Sequence, residues 1–479
     1  MTLKDKLSAE PGFQYVVDSL ELMSAAGRRR MLQQEYLTDA AALNAELDNV
    51  GRIVAALSDE AFKRPVMHLR HQLMQMHDLQ GTLNNLRQHV RLEELELFEI
   101  KSFALLCIET MRAASEMGVS SLVALPVTHE VFALLDPDGT GLPNFYVYDS
   151  YHPDLGELRR QLKALQTRLD SMHVDGEELF DLQRRVNDLF DRQNQIQQQV
   201  VAQLSDKLAA YHPILQEAHD RMAYTDFLFA KATLAQEWQL VRPQIVATGT
   251  PSRMVQMWNP RLKHRNAELG LRYQPVDITM HNGTCLITGA NMAGKTVLLK
   301  TVGIIQLMAQ FGLFVPAEKA AVCLVDDVVL CIGDEQNEMN GLSSFASEII
   351  KISDALTRAE SEHLLLLIDE PARTTNPIEG KAIVQAVASI LDGRKSTTLI
   401  TTHYSQLGLP CRRLRVRGFV EGATDERLTP DNINRFIDYS LLPDDSDDVP
   451  QEAMRIAAIL QCNASLLSEA KAFLRLHNH

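Results

Sequence analysis

Apolar residues are spaced in three different ways along the chain, and each spacing predicts a different kind of structure. Up to about residue 150 they recur at helical intervals, most clearly in SLELMSAAGRRRMLQQEYL (19–37) and LEELELFEIKSFALLCIETMRAA (92–114). Turn signals then crowd into LLDPDGTGLPNFYVYDSYHPD (134–154), where short strands are an open alternative to plain loop. From Leu155 the leucines step by three and four, through Leu158, Leu162, Leu165 and Leu169, which is the seam of a helix packing on one partner. The pattern resumes with Leu179, Leu182, Val186, Leu189, Ile196 and Val200 and runs on toward Ala235. The two stretches predict an antiparallel helical hairpin about 25 Å long, its leucines read as packing.

Beyond about residue 245 the period changes again. Short apolar runs, TCLITG (284–289), AVCLVDDVVLCIG (321–333), LLLLIDE (364–370) and STTLITTH (396–403), alternate with helical patterns. Buried runs separated by helices predict a largely parallel α/β sheet. The expected organisation is therefore a helical core over 1–150, a helical hairpin over 151–244 and an α/β domain over 245–479.

One loop in the last region carries a specific chemistry. Gly289, Ala290, Asn291, Met292, Ala293, Gly294, Lys295 and Thr296 fit GxxxxGK[ST], between a strand pattern and a helix pattern. Glycines let the backbone wrap a phosphate, with N–H groups and a helix N-terminus facing the negative charge. Lys295 is placed to neutralise the β and γ phosphates of ATP, and the Thr296 hydroxyl to hold Mg²⁺. LLLLIDE ends in two carboxylates at the sheet edge where ligands of open α/β sheets bind. Alone, an Asp-Glu pair there reads as solvated charge. Downstream of the glycine-rich loop, Asp369 reads as a Mg²⁺ ligand and Glu370 as the base that orients and deprotonates water.

Composition narrows the partners. The chain has 479 residues, 47 Lys and Arg against 62 Asp and Glu, and a net charge of −15. Phosphate-backbone binding normally relies on a basic stripe, so this balance weighs against DNA as the main ligand. Cys107, Cys285, Cys323, Cys331, Cys411 and Cys462 form no CxxC or zinc-like spacing. With no apolar leader and no run of about 18 apolar residues, a cytoplasmic protein without a membrane span is expected.

Taken together these motifs resemble the MutS family of ABC-type ATPases. TGANMAGKT (288–296), VPA (315–317), GLSSF (341–345), DEPARTT (369–375) and THY (402–404) match its ATPase signatures. YDSYHPDLGELRRQLKAL (148–165) and DFLFAKATLA (226–235) look like its lever helices, LMSAAGRRRMLQQEYL like the start of its core, and Tyr439 to Ala470 loosely like its closing helical segment, used for dimerisation. The resemblance implies an α/β P-loop ABC-type ATPase domain preceded by an all-α core and lever. It also implies a homodimer through the ATPase domains, in which Ser343 reaches the partner's γ-phosphate. His403 would sense the γ-phosphate, Tyr273 would stack on adenine, and Gln336 would touch Mg²⁺ or the attacking water.

Departures from the family bear on the substrate. The chain opens in the core-like region, leaving no place for a mismatch-wedging domain ahead of it, and only Met172 to Gly176 separate the lever helices, where a DNA clamp would be inserted. Ala293, Ala372 and Thr374 stand where the family has glycines, Glu379 where it has Asp, and Asp448-Val449-Pro450-Gln451 replaces its SFG turn. DEPARTTNP, GDEQ with GLSSF, and VPQEAMRIA are similar to the MutS-related subunit of reactivating factors for adenosylcobalamin-dependent aminomutases. Two readings follow: an ATPase that remodels a protein client, favoured by the acidity and the short hairpin turn, or a DNA-binding ATPase acting on mismatched or branched structures.

Overall fold

The leucine seam folds as its spacing predicts, into helices Leu155–Ser171 and Glu177–Ala209, which pack on one another. Leu155, Leu158 and Leu162 are buried, but Leu165 and Leu169 toward the turn are only half-buried, because there each helix has just the other to cover it. The second helix does not run on to Ala235. It ends at Ala209, and a new helix, His212–Glu237, follows. Pro213 has no N–H to bond the Ala209 carbonyl, so the ladder stops and Tyr211 bonds Leu208 at 2.9 Å instead. This computed structural model describes all residues except 8–10, 172–175, 291–292, 333–343, 420–435, 445–456, 458–462 and 478–479.

No strand forms in 134–154; past the end of helix His129–Leu135 the one regular element there is a 3₁₀ turn, Asp149–Tyr151. The polar groups of this stretch are satisfied by side chains instead. Asp136 accepts from the Thr140 hydroxyl at 2.6 Å and the Gly141 N–H at 2.8 Å. The fully buried Lys101 ammonium donates to Asp136, to the Asn144 carbonyl and to the Tyr148 hydroxyl. These partners hold the Asp136 carboxyl well below the usual carboxylate range, against the opposing pull of its burial.

Among the described residues, ten strands lie in the second half of the chain: β1 (Gln244–Val246), β2 (Ser252–Met257), β3 (Val276–Met280), β4 (Gly283–Thr288), β5 (Lys319–Cys323), β6 (Asp327–Cys331), β7 (Leu364–Asp369), β8 (Thr397–Thr401), β9 (Arg412–Phe419) and β10 (Ile437–Pro443). They form a six-stranded sheet, β10-β9-β4-β8-β7-β6, parallel except for β10, and a four-stranded mixed sheet, β1-β5-β2-β3. The run 321–333 is thus two strands in two sheets. It divides at Leu324–Asp326, where Asp326 exchanges two 2.7 Å bonds with His363 and leads the chain onto the edge of β7. Tyr439, expected in a closing helical segment, lies in β10, whose pairing with β9 overrides that expectation; a terminal helix spans Ala464–His477.

Period-two alternation in β7 sorts its side chains. Leu364, Leu366 and Ile368 join a buried cluster with Ile352, Ala355, Val384 and Leu391 from helices Ser344–Arg358 and Pro377–Asp392. Leu367 faces the other way, and its Cδ1 lies 3.1 Å from where a Cβ on Gly303 would sit, so helix Lys295–Gln310 packs closely there.

Two compact units emerge: one from Met1–Leu20, Gln34–Gly51 and Thr233–His479, the other from Glu21–Gln33 and Arg52–Ala232. Within the first, the N-terminal segments are bound to the α/β core. Tyr36 donates to Gln310 Oε1 at 2.8 Å, and the Gln310 amide donates to the carbonyls of Leu37 and Val325 at 2.9 Å each. Phe13 stacks on Phe311, and buried Lys6 pairs with Asp327. Within the second, the Asp226 carboxylate accepts from Met23 N, Ser24 N and Ser24 Oγ, fixing the start of helix Ala25–Leu32. The five described cysteines, Cys107, Cys285, Cys323, Cys331 and Cys411, form no disulfide. Among the described residues no helix is long and apolar enough to cross a membrane.

Candidate functional site

Strand β4 is buried at every residue and delivers the chain to a loop, 289–294, at its C-terminal end. Two glycines permit that loop. Gly289 has φ +150° and Gly294 φ +77°, and a Cβ on Gly294 would sit 3.0 Å from the Tyr439 ring. Gly294 then starts helix Lys295–Gln310 without any side-chain cap, so the first-turn N–H groups are directed at the loop. Lys295 folds back over the loop, donating to the Gly289 carbonyl at 2.8 Å and the Ala290 carbonyl at 3.1 Å.

Carboxylates face this cradle from β7. Asp369 Oδ2 accepts from the Thr296 hydroxyl and Oδ1 from the Thr401 hydroxyl, both at 2.6 Å. A hydroxyl and a carboxylate side by side are a hard-oxygen donor pair, which suits Mg²⁺, an ion that keeps most of its waters and takes few protein ligands. The Lys295 ammonium lies 3.3 Å from Glu370, with side-chain exposures of 5% and 14%, so the pair is shielded enough for its charges to act strongly on a phosphate. Arg373 approaches Glu370 from the solvent side at 3.5 Å.

Glu370 stands on a turn with unusual backbone. It has φ +45° and Ala372 φ +59°, left-handed values that cost a side-chain-bearing residue about 1–2 kcal/mol each. Side chains from other elements hold it there. The Glu370 N–H bonds Thr401 Oγ1 at 2.9 Å, the Ala372 N–H bonds Glu348 Oε1 at 3.2 Å, and the Tyr404 hydroxyl reaches the Ala372 carbonyl at 3.4 Å. Burial, with Asp369 nearby, pushes the Glu348 carboxyl up, while the Ala372 N–H and Arg373 pull it down. Gly380 closes the turn from below: a Cβ there would lie 2.2 Å from the Tyr404 hydroxyl and 2.9 Å from the Ala372 carbonyl oxygen. Gly380→Ala is therefore expected to displace the turn at a cost of about 1–3 kcal/mol. A melting curve matching that of the unmodified protein would contradict this.

His403 follows β8 and is exposed. Partial desolvation pushes its imidazole below the ordinary histidine value, Lys295 and Arg373 adding to the shift and Glu370 opposing it. It is thus mainly neutral at pH 7, able to donate one hydrogen bond. Tyr273 lies in the loop before β3, and its hydroxyl accepts from the Asn259 N–H at 2.8 Å while Asn259 Nδ2 reaches Thr301 of helix Lys295–Gln310 at 3.2 Å. Asn291, Met292, Gln336 and Ser343 lie outside the described residues.

The structure brings together Gly289, Ala290, Ala293, Gly294, Lys295, Thr296, Asp369, Glu370 and His403 at one edge of the sheet; Tyr273 joins only through Asn259. Sequence reasoning passed over Thr401, Glu348 and Arg373. Thr401 and Arg373 stand inside motifs singled out for other residues, and Glu348 lies three residues past GLSSF, yet nothing in the pattern tells these polar residues from exposed ones.

Residues 285–418 match the family model for MutS domain V. Endonuclease MutS2 of Geobacillus thermodenitrificans is 34% identical over 240 residues, covering 50% of this chain and 30% of that protein. Endonuclease MutS2 of Gemmatimonas aurantiaca is 32% identical over 309 residues, covering 63% and 36%. DNA mismatch repair protein MutS of Thermus aquaticus is 29% identical over 315 residues, covering 63% and 37%. The chain spans about a third of the length of these curated relatives.

Proposed function

Because the chain belongs to the MutS family through residues 285–418, we propose that it is a P-loop, ABC-type, Mg²⁺-dependent ATPase that works as a homodimer. In this reading the N–H groups of 289–296 and the Lys295 ammonium bind the phosphates. Thr296 and Asp369 would hold Mg²⁺, with Gln336 a further candidate to touch the ion or the attacking water; the ion would supply charge neutralisation to the phosphates. Glu370 orients a water and takes its proton as the oxygen bonds to the γ-phosphorus and the bond to the β-phosphate oxygen breaks, leaving ADP and phosphate. His403 donates to the γ-phosphate, Ser343 reaches the partner's nucleotide, and Tyr273 lies against adenine. The observation that carries this reading is the 2.6 Å bond from Thr296 to Asp369, with the Lys295–Glu370 pair beside it. ATP turnover that requires Mg²⁺ tests it; a purified protein that neither binds nor hydrolyses ATP with Mg²⁺ would overturn it.

For the work done with that energy, the relatives' names favour DNA over a protein client, and in this reading the DNA is of mismatched or branched structure. The helical hairpin would act as the arm, since the chain passes from one unit to the other inside helix His212–Glu237. If so, branched or mismatched duplex raises ATP turnover, and binding weakens by orders of magnitude between about 50 and 200 mM salt. A second reading has its own observations: a net charge of −15, and five residues, 172–176, joining the hairpin helices. These favour a protein client or second subunit, such as an adenosylcobalamin-dependent aminomutase. Turnover indifferent to DNA but raised by such an enzyme would put this second reading first.

A further inference from the structure

The strained turn that carries Glu370 depends on a carboxylate from the helix that follows the signature loop. Helix Ser344–Arg358 begins one residue after Ser343 and places Glu348 one turn in, where Oε1 accepts the Ala372 N–H at 3.2 Å. Ala372 is fully buried with φ +59°, and its carbonyl is bonded from the other side by Tyr404. Without the Glu348 acceptor, that N–H would be buried without a partner, and the left-handed conformation would lose the bond that opposes its relaxation. Glu370, two residues away and itself at φ +45°, would shift with it, and a displacement of about 1 Å at a reacting group costs orders of magnitude in rate.

We propose that Glu348 is a positioning residue for hydrolysis: through the Ala372 N–H it sets the turn that aims Glu370, and so ties the base to the helix carrying the signature segment. The proposal rests on the ATPase reading of the site and deepens it. Its consequence is directional. Among the described residues of the phosphate cradle at 289–296 none is bonded to Glu348, so nucleotide affinity is expected to be independent of it while the rate of the chemical step is not. Any movement of helix Ser344–Arg358, at whose start the segment 341–343 ends, is passed to Glu370 through one hydrogen bond.

The test uses the full chain with Glu348→Ala and Glu348→Gln, reading kcat, KM and binding of ATP with Mg²⁺, with far-UV circular dichroism to follow folding. Glu348→Ala is expected to lower kcat about tenfold or more with ATP affinity within about twofold. Glu348→Gln keeps an amide oxygen for the Ala372 N–H and is expected to recover kcat to within about threefold. Full kcat in Glu348→Ala, or a Glu348→Gln as slow as a folded Glu348→Ala, would overturn the proposal. The unmodified protein and Lys295→Ala serve as reference. If the unmodified protein hydrolyses ATP and Lys295→Ala does not, an unaffected Glu348→Ala removes this inference alone. If the unmodified protein has no turnover, the ATPase reading goes first and this proposal with it.

Discussion

Lys295→Ala loses about a hundredfold or more in affinity for ATP with Mg²⁺, measured by titration with a fluorescent ATP analogue. The ammonium is 5% exposed, held over the loop by the carbonyls of Gly289 and Ala290, and is the one cation in the cradle itself. Charge-assisted bonds are worth about 1.5–3 kcal/mol each, and bonds to the β and γ phosphates would be lost together. The substitution also removes the near neighbour of the Glu370 carboxylate, so Lys295→Met, which keeps the side-chain volume, is the companion that separates binding from folding. Folded protein of either variant binding ATP within about threefold of the unmodified chain would show that the phosphates lie elsewhere.

Glu370→Gln has the opposite signature: ATP binds, and turnover falls by about 10²–10⁴. The substitution leaves the turn intact, because Thr401 bonds the backbone N–H of residue 370 and not its side chain. It also leaves Thr296, Asp369 and the loop untouched, so phosphate and Mg²⁺ binding persist while the carboxylate placed to accept the proton is gone. With hydrolysis blocked, ATP-bound protein accumulates, and on the family's scheme it does so as a closed dimer, visible by size-exclusion chromatography with light scattering. Ordinary turnover in this variant would remove Glu370 from the base role and leave the task to another group at the site.

How far the site could be read in advance depended on whether its residues are joined by local pattern. The stretch 284–296 is strand, glycine loop and helix in succession, and each part has a signature of its own, so the sequence alone placed Lys295 and Thr296 where the loop opens into the helix. LLLLIDE and STTLITTH likewise end where β7 and β8 end, with Asp369 and His403 at one sheet edge. What escaped was pairing across the chain. Glu348 meets Ala372 over 24 residues and Thr401 meets Asp369 over 32, and such contacts leave no period to find. The run 321–333 looked continuous because periodicity registers apolarity, whereas the bonds that divide it come from His363, outside the run. Pro213 was visible in the sequence, but the leucine seam on either side masked the break it imposes in the ladder.

The N-terminal segments were misread for a related reason. Their spacing is that of ordinary helices, and nothing local marks Phe13, Tyr36 or Lys6 as belonging with an α/β sheet more than two hundred residues away.

That attachment governs how the protein can be dissected. Gln310, wholly enclosed, donates its amide N–H to the Leu37 carbonyl and accepts a hydrogen bond from the Tyr36 hydroxyl, and Phe311 rests on Phe13. Cleaving the polypeptide near residue 245 to isolate the α/β half would strip these partners from the far end of the very helix whose first turn is proposed to hold the phosphates. A minimal fragment for testing that site therefore has to be stitched from discontinuous pieces, with the first fifty or so residues rejoined to the last two hundred and fifty.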